Sequence, residues 1–580
     1  MKAIQDNWKN KVLTVLKEMA VEACTGNFNP EEMLTVGKPP KAEMGDLSFP
    51  LFPFAAVFRK APAALAAEAA LRLGGPDKGA AAAGPYLNVR IDRAAAAQDV
   101  LDAVEQAGEN WGKGTELAGR KIMIEFSSPN TNKPLHLGHL RNDILGESCA
   151  RILKARGADV RKVNLVNDRG VHICKSMLAY KKFGEGETPE SLGIKSDRFV
   201  GDLYVKFNTW ASEDKSAEEQ AQNMLRAWEK GDAEVRELWE TMNSWALQGI
   251  NATYERTGIS FDAIYRESQT YLLGREQVLK GLEKGVFYKA EDGSVRLDMK
   301  DIGLDTKVLL RSDGTSVYIT QDLGTAISRH EQWPFNQLIY VVGSEQEYHF
   351  RVLFYALEKL GFPWAEKLRH LSYGMVNLPE GKMKSREGTV VDADDLIDSL
   401  AALALSEIRG KNREDAVDNP EETAEKIAIA ALHYFLLQVS PVKDMIFNPE
   451  ESLSFNGNTG PYLQYMVARI MGLTAKASDA VKNTPADASL LTHEEEWELI
   501  RQISEFPQLV ARSADKLDPS ILAGGLYELA HNFSRYYHNV PIAREENSAL
   551  AASRMALCRA VLATLQSGFR MLNIPYIESM

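Results

Sequence analysis

Cysteine is scarce in this chain, and the spacing of the cysteines argues against a thiolate zinc site and against a disulfide framework. Among 580 residues there are four cysteines, far apart and without a CxxC pair: Cys24, Cys149, Cys174 and Cys558. A thiolate zinc site needs closely spaced cysteines, and a disulfide framework needs many of them in a short secreted chain. Neither is indicated, so we expect no structural metal and a reducing compartment.

Long apolar runs are missing as well. No run of about 18 apolar residues occurs, and the N-terminus, MKAIQDNWKNKVLTVL, becomes amphipathic at once instead of showing the apolar core of a signal peptide. We therefore expect a cytoplasmic protein without a membrane partner.

The chain also lacks an excess of basic residues. Lys and Arg total 67 against 80 Asp and Glu, which gives a net charge of −13. Proteins that coat nucleic acid neutralise phosphates with clustered cations. We therefore expect no DNA partner, and any RNA contact must use local basic surfaces.

The length of the chain predicts several domains, because 580 residues exceed what one hydrophobic core can serve. The polar segment KGTELAGRK separates the first unit from the buried strand KIMIEF, and strand signals fade beyond about residue 395. We predict an N-terminal α/β domain at 1–118, a catalytic domain at 119–395, a helical connector at 396–450 and a helical bundle at 451–580.

The catalytic segment follows the order strand, loop, helix, strand. After KIMIEF comes a helix with apolar residues at three- and four-residue spacing, which stops at Gly157 and leads into DVRKVNLVND. This βαβ unit predicts an α/β fold with a Rossmann-type parallel sheet. The turns Asp292–Gly293 and Asp313–Gly314 predict hairpins, and QLIYVVGSEQ and HLSYGMV predict further buried strands.

The strongest local signal is EFSSPNTNKPLHLGHLRN at residues 125–142, where a loop ends in HLGH at a helix start. A helix N-terminus offers unpaired N–H groups and a positive dipole end, and Gly138 would let a nucleotide approach closely. His136 and His139 can donate hydrogen bonds to phosphate oxygens as charge builds on them. The alternative is a pair of histidines that only satisfy a loop, but the strand before them and the helix after them favour phosphate chemistry.

The second signal is GMVNLPEGKMKSREGTVV at residues 374–391, in which glycines flank a cationic segment. Its polar and charged residues are Lys382, Lys384, Ser385 and Arg386. Such a loop can fold over a triphosphate. Alone it is more often solvated surface, but together with HLGH it favours a nucleotide site.

The two motifs together resemble those of class I aminoacyl-tRNA synthetases, and SSPNTNKPLHLGHLRN resembles the arginyl family in particular. The resemblance covers nearly the whole chain. GDLSFPLFPFA and YLNVRI are similar to the extra N-terminal domain with which that family holds the outer corner of the tRNA. GNTGPYLQYMVARI and the final segment ending in NIPYIESM resemble its anticodon-binding domain.

The resemblance implies a ligase that forms arginyl-adenylate from arginine and ATP, with Mg²⁺ bound to the ATP, and then transfers arginine to its tRNA. It further implies that tRNA must be present for activation. Separately, we expect a monomer. The chain departs from the family pattern at Ser385, which stands where the usual KMSKS motif has its second lysine. The resemblance implies that Lys133 supplies this charge, while Lys384 and Arg386 stay open as alternatives.

A pocket for arginine should present carboxylates, because a guanidinium group is planar, always charged and rich in donors. Glu125 closes the strand before HLGH. Tyr318 and Asp322 lie four residues apart, which places them on one face if YITQDLGTAIS is helical. From the residues alone, periodicity slightly favours the alternative in which Glu125 is a surface carboxylate and Tyr318 a core aromatic.

Matched position by position, the resemblance assigns roles to these and further residues. Glu125, Ser127, Asn130 and His136 would surround the backbone end of arginine, Tyr318, Asp322 and Gln346 its side chain, and Gly343, His349, Met375 and Val376 the adenosine of ATP. His136, Gly138, His139 and Lys382 would contact ATP, and Lys133, His136, His139, Lys382, Lys384 and Ser385 would serve catalysis. In this scheme Asp322 is the main guanidinium partner and Glu125 lies nearer the α-amino group.

Two other functions would share part of this pattern. A synthetase for another amino acid, or a smaller HxGH nucleotidyltransferase, would share the motifs, but the nucleotidyltransferases lack a helical last third. A protein that binds RNA or senses arginine without catalysis is the other rival. It is disfavoured because Lys133, HLGH, Asp322 and the cationic loop all occur in this chain.

Overall fold

The structure is a computed structural model that describes residues 2–23, 29–377, 379, 391–410, 419–542 and 544–578. The chain divides into two compact units. One unit consists of Met1–Trp111, Ile470–Pro507 and Glu528–Thr564, and the other of Gly112–Arg469, Gln508–Tyr527 and Leu565–Met580. All the site residues named above belong to the second unit.

The N-terminal segment combines helices with a small antiparallel sheet. Its elements are α1 (Lys2–Glu22), α2 (Pro30–Met33), β1 (Leu47–Pro50), α3 (Ala55–Phe58), α4 (Pro62–Arg72), β2 (Ala80–Ala83), β3 (Tyr86–Val89) and α5 (Arg93–Ala107). The strand order is β1-β3-β2. Strand β2 consists only of alanine, which has low strand propensity, so its pairing along β3 maintains the extended conformation.

The catalytic segment alternates strands and helices. Its elements are β4 (Lys121–Glu125), α6 (Leu137–Ala155), β5 (Asp159–Val166), α7 (Val171–Phe183), α8 (Pro189–Leu192), α9 (Ser196–Glu213), α10 (Ser216–Lys230), α11 (Ala233–Thr257), β6 (Ala263–Arg266), α12 (Glu267–Thr270), α13 (Leu273–Glu283), β7 (Tyr288–Lys289), β8 (Val295–Leu297), β9 (Lys307–Leu310), α14 (Tyr318–Gln332), β10 (Gln337–Gly343), α15 (Glu347–Lys359), β11 (Leu368–Tyr373) and β12 (Val376–Asn377).

A parallel sheet of order β11-β10-β4-β5-β6 forms the centre of this segment. The chain starts in the middle at β4, proceeds outward through β5 and β6, and then returns to the other side through β10 and β11. This is the strand order of a Rossmann fold, and the Rossmann prediction is confirmed. In such sheets, ligands bind at the carboxyl ends of the strands where the order reverses, which here lies between β4 and β10.

Helix α6 crosses over from β4 to β5 and is buried on nearly all sides. Gly146 allows this position, because a Cβ there would lie 2.3 Å from the Phe126 ring. The helix ends as predicted, with Gly157 at a positive φ of 91° just beyond its cap.

The two Asp-Gly turns occupy the predicted places. Strands β7 and β8 pair antiparallel around Asp292–Gly293, where Gly293 has a φ of 83°. The turn at Asp313–Gly314 is closed by a single antiparallel bridge between Leu310 and Ser316 instead of a full hairpin.

The helices α7, α9, α10 and α11 between β5 and β6 were not foreseen from the sequence. They share an apolar core of their own that includes Phe199, Phe207 and Met242. This helical insertion separates two strands that are neighbours in the sheet.

The last third of the described chain is helical, as predicted. Its elements are α16 (Ala393–Gly410), α17 (Pro420–Leu437), β13 (Met445–Ile446), α18 (Pro449–Ser452), α19 (Gly460–Ala475), α20 (Asp479–Lys482), α21 (Glu494–Lys516), α22 (Pro519–Asn539) and α23 (Ser548–Met571). The short strand β13 was missed, because its two residues pair with β12, which is distant in sequence. Among the described residues one helix, α23, has a length and apolar composition that could span a membrane, and 56% of that stretch is buried inside the protein.

Candidate active site

The loop after β4 lies at the point where the strand order reverses. Ser127 and Ser128 have φ values of 74° and 51°, in the left-handed region that serine rarely adopts. Consecutive residues in this conformation need support from their surroundings, and such strain is concentrated at functional sites. The backbone therefore marks this loop as a candidate site independently of any motif.

His136 caps helix α6, and the two motif histidines hold each other in place. The Nδ1 atom of His136 accepts a hydrogen bond from the Gly138 N–H at 3.1 Å, and that of His139 accepts one from the His136 N–H at 3.1 Å. The ring centroids lie 3.8 Å apart. The sequence HxGH therefore forms a closed local structure in which both side chains have fixed positions.

Both histidines are neutral. Burial lowers the pKa of His136 to about 3, and the nearby Lys133 ammonium adds to the shift. Burial also holds the pKa of His139 well below its usual range. Since each Nδ1 accepts a hydrogen bond, the proton of each neutral ring lies on Nε2. The pair thus offers two uncharged N–H donors at the helix N-terminus.

The expectation of unpaired backbone N–H groups at this helix start is wrong. The Leu137 N–H donates to the Val391 carbonyl at 3.3 Å, and the His139 N–H donates to the His136 carbonyl at 2.8 Å. The presence of glycine at position 138 also has a local cause, because a Cβ there would lie 3.1 Å from the His136 ring. Phosphate binding here must rely on the imidazole donors and the helix dipole.

Lys133 lies beside the histidines and is largely removed from solvent. Burial lowers the pKa of its ammonium group, and among the described residues it has no hydrogen-bond or ion-pair partner. A cavity of about 520 Å³ opens next to it, lined by Asn130, Lys133 and His136 and, from the helical insertion, by His172, Arg198 and Tyr204. Lys133 is therefore a cation in this cavity that can pair with an incoming anion.

Glu125 ends β4 and forms a buried ion pair with Arg329 of α14. Burial raises the pKa of the Glu125 carboxyl, and the Arg329 guanidinium opposes that rise. Arg329 also lies over the Tyr265 ring at 4.6 Å. Glu125 was predicted near the α-amino group of arginine, but its charge is already balanced by Arg329.

Ser127 is tied to two neighbouring helices, α6 and α11. Its N–H donates to Asn142 Oδ1 at 2.6 Å, and its hydroxyl shares a hydrogen bond of 2.5 Å with the Tyr254 hydroxyl. Asn130, also predicted at the backbone end of arginine, is exposed and forms a parallel bridge with Asn167. The loop thus places a buried polar residue, Ser127, and an exposed one, Asn130, next to HLGH.

The predicted side-chain pocket is partly assembled. Helix α14 begins at Tyr318, so Tyr318 and Asp322 lie one turn apart on one face, as predicted. Tyr318 is 77% exposed, which contradicts the alternative of a core aromatic. Gln346 precedes α15 and is exposed.

His349, predicted beside the adenosine, lies against Asp322 instead. Its Nε2–H donates to Asp322 Oδ2 at 2.6 Å. The prediction separated these residues between two substrates, whereas the structure places them in direct contact.

The other predicted adenosine residues lie at the ends of β10 and β11. Gly343 is the last residue of β10, Met375 is 42% exposed, and Val376 is buried in β12. Met375 is held from both sides, because its N–H donates to Asp444 Oδ1 at 2.7 Å and its carbonyl accepts from Met445 at 2.9 Å.

The cationic loop residues Lys382, Lys384 and Ser385 lie outside the described residues. Their predicted roles stay predictions. Within the described part of the chain there is no cluster of three or more His, Cys, Asp or Glu side chains that could hold a metal ion.

The sequence reasoning missed three residues that shape the site. Arg329 neutralises Glu125, and the only feature of the sequence that could have indicated this role was an arginine on the apolar face of a helix. Asn142 supports Ser127 and directly follows the HLGHLR string. Glu267 follows β6 at its carboxyl end; burial raises its pKa to about 7, Arg169 opposes the rise, and the carboxylates of Asp168 and Asp322 add to it.

A five-stranded parallel sheet of this order, with HxGH capping the first crossover helix, is the arrangement expected for the catalytic domain of a class I aminoacyl-tRNA synthetase. Residues 104–449 match the family model described as tRNA synthetases class I (R), catalytic domain. Residues 6–91 match the arginyl tRNA synthetase N terminal domain, and residues 463–580 match the DALR anticodon binding domain. The chain belongs to the arginyl-tRNA synthetase family.

Individual relatives agree with this assignment. The chain is 57% identical to an arginine–tRNA ligase of Treponema denticola and 54% identical to one of Treponema pallidum, with 100% of both chains covered in each case. It also matches the structure of Thermus thermophilus arginyl-tRNA synthetase with a TM-score of 0.82 at 27% identity, covering 99% of this chain and 100% of the other.

Proposed function

We propose that this protein is an arginine–tRNA ligase that works in two steps. In the first, the carboxylate of arginine attacks the α-phosphorus of ATP, forming arginyl-adenylate and releasing pyrophosphate. In the second, a hydroxyl of the terminal tRNA ribose attacks the carbonyl carbon, forming arginyl-tRNA and releasing AMP. Such catalysis depends on positioning and electrostatics and needs no covalent enzyme intermediate.

The observation that carries the proposal for the first step is the HLGH cap. His136 and His139 each present a neutral ring whose Nε2 carries the proton. Neutral donors stabilise charge that develops on phosphate oxygens without first attracting the ground-state anion as strongly as a cation would. Lys133, which has no partner among the described residues, supplies the positive charge for the leaving phosphates.

Two carboxyl groups support the choice of arginine. Asp322 is one third exposed and is oriented by His349 at 2.6 Å. Burial is the main cause that raises the pKa of Glu267, and the Asp322 carboxylate adds to the rise. A guanidinium bound at Asp322 would offset this contribution, because its fork of donors suits a carboxylate. Tyr318 and Gln346 would border the same pocket, while Ser127 and Asn130 would contact the backbone end of the amino acid.

Glu125 keeps its predicted place near the α-amino group in this proposal, but it also has a structural role. Because the buried Arg329 pairs with its carboxylate, Glu125 contributes little net charge. We propose that Glu125 fixes the end of β4. The oxygen lone pairs that Arg329 does not use can still accept a hydrogen bond from the α-amino group of arginine.

The other expected partners follow the family assignment. Residues 463–580 would bind the anticodon arm and residues 6–91 the outer corner of the tRNA, and Mg²⁺ would enter as the Mg-ATP substrate. Gly343, Met375 and Val376 would surround the adenosine, and Lys382, Lys384 and Ser385 the triphosphate. The predicted domain boundaries, a monomeric state and a cytoplasmic location stay predictions.

A charging assay tests this function. Purified protein, total tRNA and Mg-ATP are incubated with labelled arginine, lysine or glutamine, and label in acid-precipitated tRNA is counted. We expect arginine alone to be transferred, and only with ATP. Transfer of lysine or glutamine at a comparable rate, or no transfer of arginine, would refute the proposal.

A further inference from the structure

Two consecutive residues of helix α6, Arg141 and Asn142, are buried and hold different backbone segments of the site. Neither has a role in the proposed chemistry. Both follow HLGH directly, so the histidine cap fixes their place along the helix.

Arg141 uses its guanidinium to hold backbone. Nη2 donates to the carbonyls of Lys443 at 2.7 Å and Pro441 at 3.1 Å, and Nη1 donates to the carbonyl of Met375 at 3.3 Å. Among the described residues no carboxylate lies within ion-pair distance of it. Its charge therefore serves to fix three carbonyls, one of them on the segment proposed to border the adenosine.

Asn142 holds the loop after β4. Its Oδ1 accepts from the Ser127 N–H at 2.6 Å, and its Nδ2 donates to the Val341 carbonyl at 2.7 Å and to the Tyr373 hydroxyl at 3.0 Å. One amide thereby joins the loop after β4 to β10 and β11. Because Ser127 holds a φ of 74° that is unfavourable for serine, this bond keeps the loop in its observed conformation.

We propose that Arg141 and Asn142 are positioning residues for different substrates, with Arg141 fixing the adenosine side of the site and Asn142 fixing the amino-acid side. This inference rests on the proposed function. Neither residue touches a substrate in this scheme. Each acts through a backbone segment, Met375–Val376 for Arg141 and Ser127 for Asn142.

The test compares the KM values for arginine and ATP in the charging reaction of the full-length protein. For Asn142→Ala we expect the KM for arginine to rise at least about tenfold while the KM for ATP stays within about twofold. For Arg141→Met we expect the reverse. A KM does not depend on the fraction of active enzyme, so partial unfolding does not mimic this result.

Conservative variants and a control complete the experiment. Arg141→Lys keeps the charge but has no planar fork, so its KM for ATP should fall between wild type and Arg141→Met. Asn142→Asp keeps the acceptor for the Ser127 N–H and should raise the KM for arginine less than Asn142→Ala does. Ser148→Ala removes a buried hydroxyl of the same helix that has no partner among the described residues, and should leave both KM values within about twofold.

The outcomes separate this inference from the proposed function. If wild type fails to charge tRNA with arginine, the proposed function is wrong. If wild type charges normally but both variants raise both KM values together, or leave both unchanged, the division between Arg141 and Asn142 is wrong.

Discussion

Asp322 is the acidic residue on which the proposed amino-acid specificity depends. Its carboxylate is held by His349 at 2.6 Å and lies near Glu267, so it has a fixed position in a partly desolvated pocket. Removing one member of a charge-assisted pair leaves the other charge unpaired, which can cost ~2–5 kcal/mol.

We predict that Asp322→Asn raises the KM for arginine at least about tenfold and leaves that for ATP little changed. The substitution keeps the shape and removes the charge, so discrimination against the neutral analogue citrulline should also fall. Steady-state charging kinetics with both compounds provide the measurement. Equal damage toward arginine and ATP would mean that Asp322 is structural.

The two motif histidines give a second prediction. His136→Ala or His139→Ala should lower adenylate formation by roughly a hundredfold, corresponding to the loss of a transition-state hydrogen bond worth ~2.7–4 kcal/mol. Circular dichroism and thermal unfolding of each variant serve as the control for folding. A folded variant with an unchanged rate would remove both residues from the mechanism.

Among the structural elements, the loop before α6 contains Lys133, the cation proposed to replace the missing second lysine of the KMSKS motif. Lys133 has no partner among the described residues, and burial already lowers the pKa of its ammonium group, so a phosphate would be a favourable partner. We predict that Lys133→Ala slows pyrophosphate exchange more than Lys384→Ala does. If Lys384→Ala were the slower variant, the cationic loop would supply its own charge.

Helix α17 contains a buried histidine that makes the fold sensitive to acid. His433 is fully buried, donates from Nδ1 to the Asn573 carbonyl at 2.5 Å, and has its pKa lowered by burial to about 4. As pH falls below about 6.5 the unfolded chain binds a proton at this residue, whereas the folded protein does not until about pH 4. The contribution of His433 to stability is therefore complete above pH 6.5 and is lost progressively toward pH 4.

The corresponding prediction concerns the pH dependence of unfolding. As the pH falls from about 6.5 to about 4, a histidine whose pKa is lowered in the folded protein reduces the free energy of unfolding by up to about 1.4 kcal/mol per pH unit. His433→Gln cannot titrate, so its midpoint of thermal unfolding should fall less between about pH 7 and about pH 5 than that of wild type. An equal fall in both proteins would show that His433 does not contribute.

Elements whose pattern is local could be predicted from the sequence. Strand β4, helix α6 and the turn at Asp292–Gly293 are specified by nearby apolar spacing and by turn residues, and they occur where expected. The alanine strand β2 and the two-residue strand β13 could not be predicted, because their partners rather than their own residues make them strands.

The same distinction holds for the site. His136 and His139 could be assigned from a local motif in its strand-loop-helix context. The pair of Glu125 with Arg329 and the contact of Asp322 with His349 could not, because each joins two elements that only the sheet order brings together. The helical insertion that lines one side of the cavity was also missed, although the apolar spacing of its helices is local.

At the scale of the whole molecule, the net charge of −13 limits how tRNA can be bound. A general cationic field is absent, so recognition must depend on local surfaces of the segments that match the N-terminal and anticodon-binding family models. The catalytic segment and these two segments together account for nearly all of the chain. We therefore infer that the entire protein serves the attachment of arginine to tRNA.

Pyrophosphate exchange tests this claim most directly. Purified full-length protein is incubated with ATP, labelled pyrophosphate and each of the twenty amino acids in turn, with and without total tRNA, and label entering ATP is counted. We predict exchange with arginine alone, and only when tRNA is present. Exchange with a different amino acid, or none with arginine in the presence of tRNA, would contradict it.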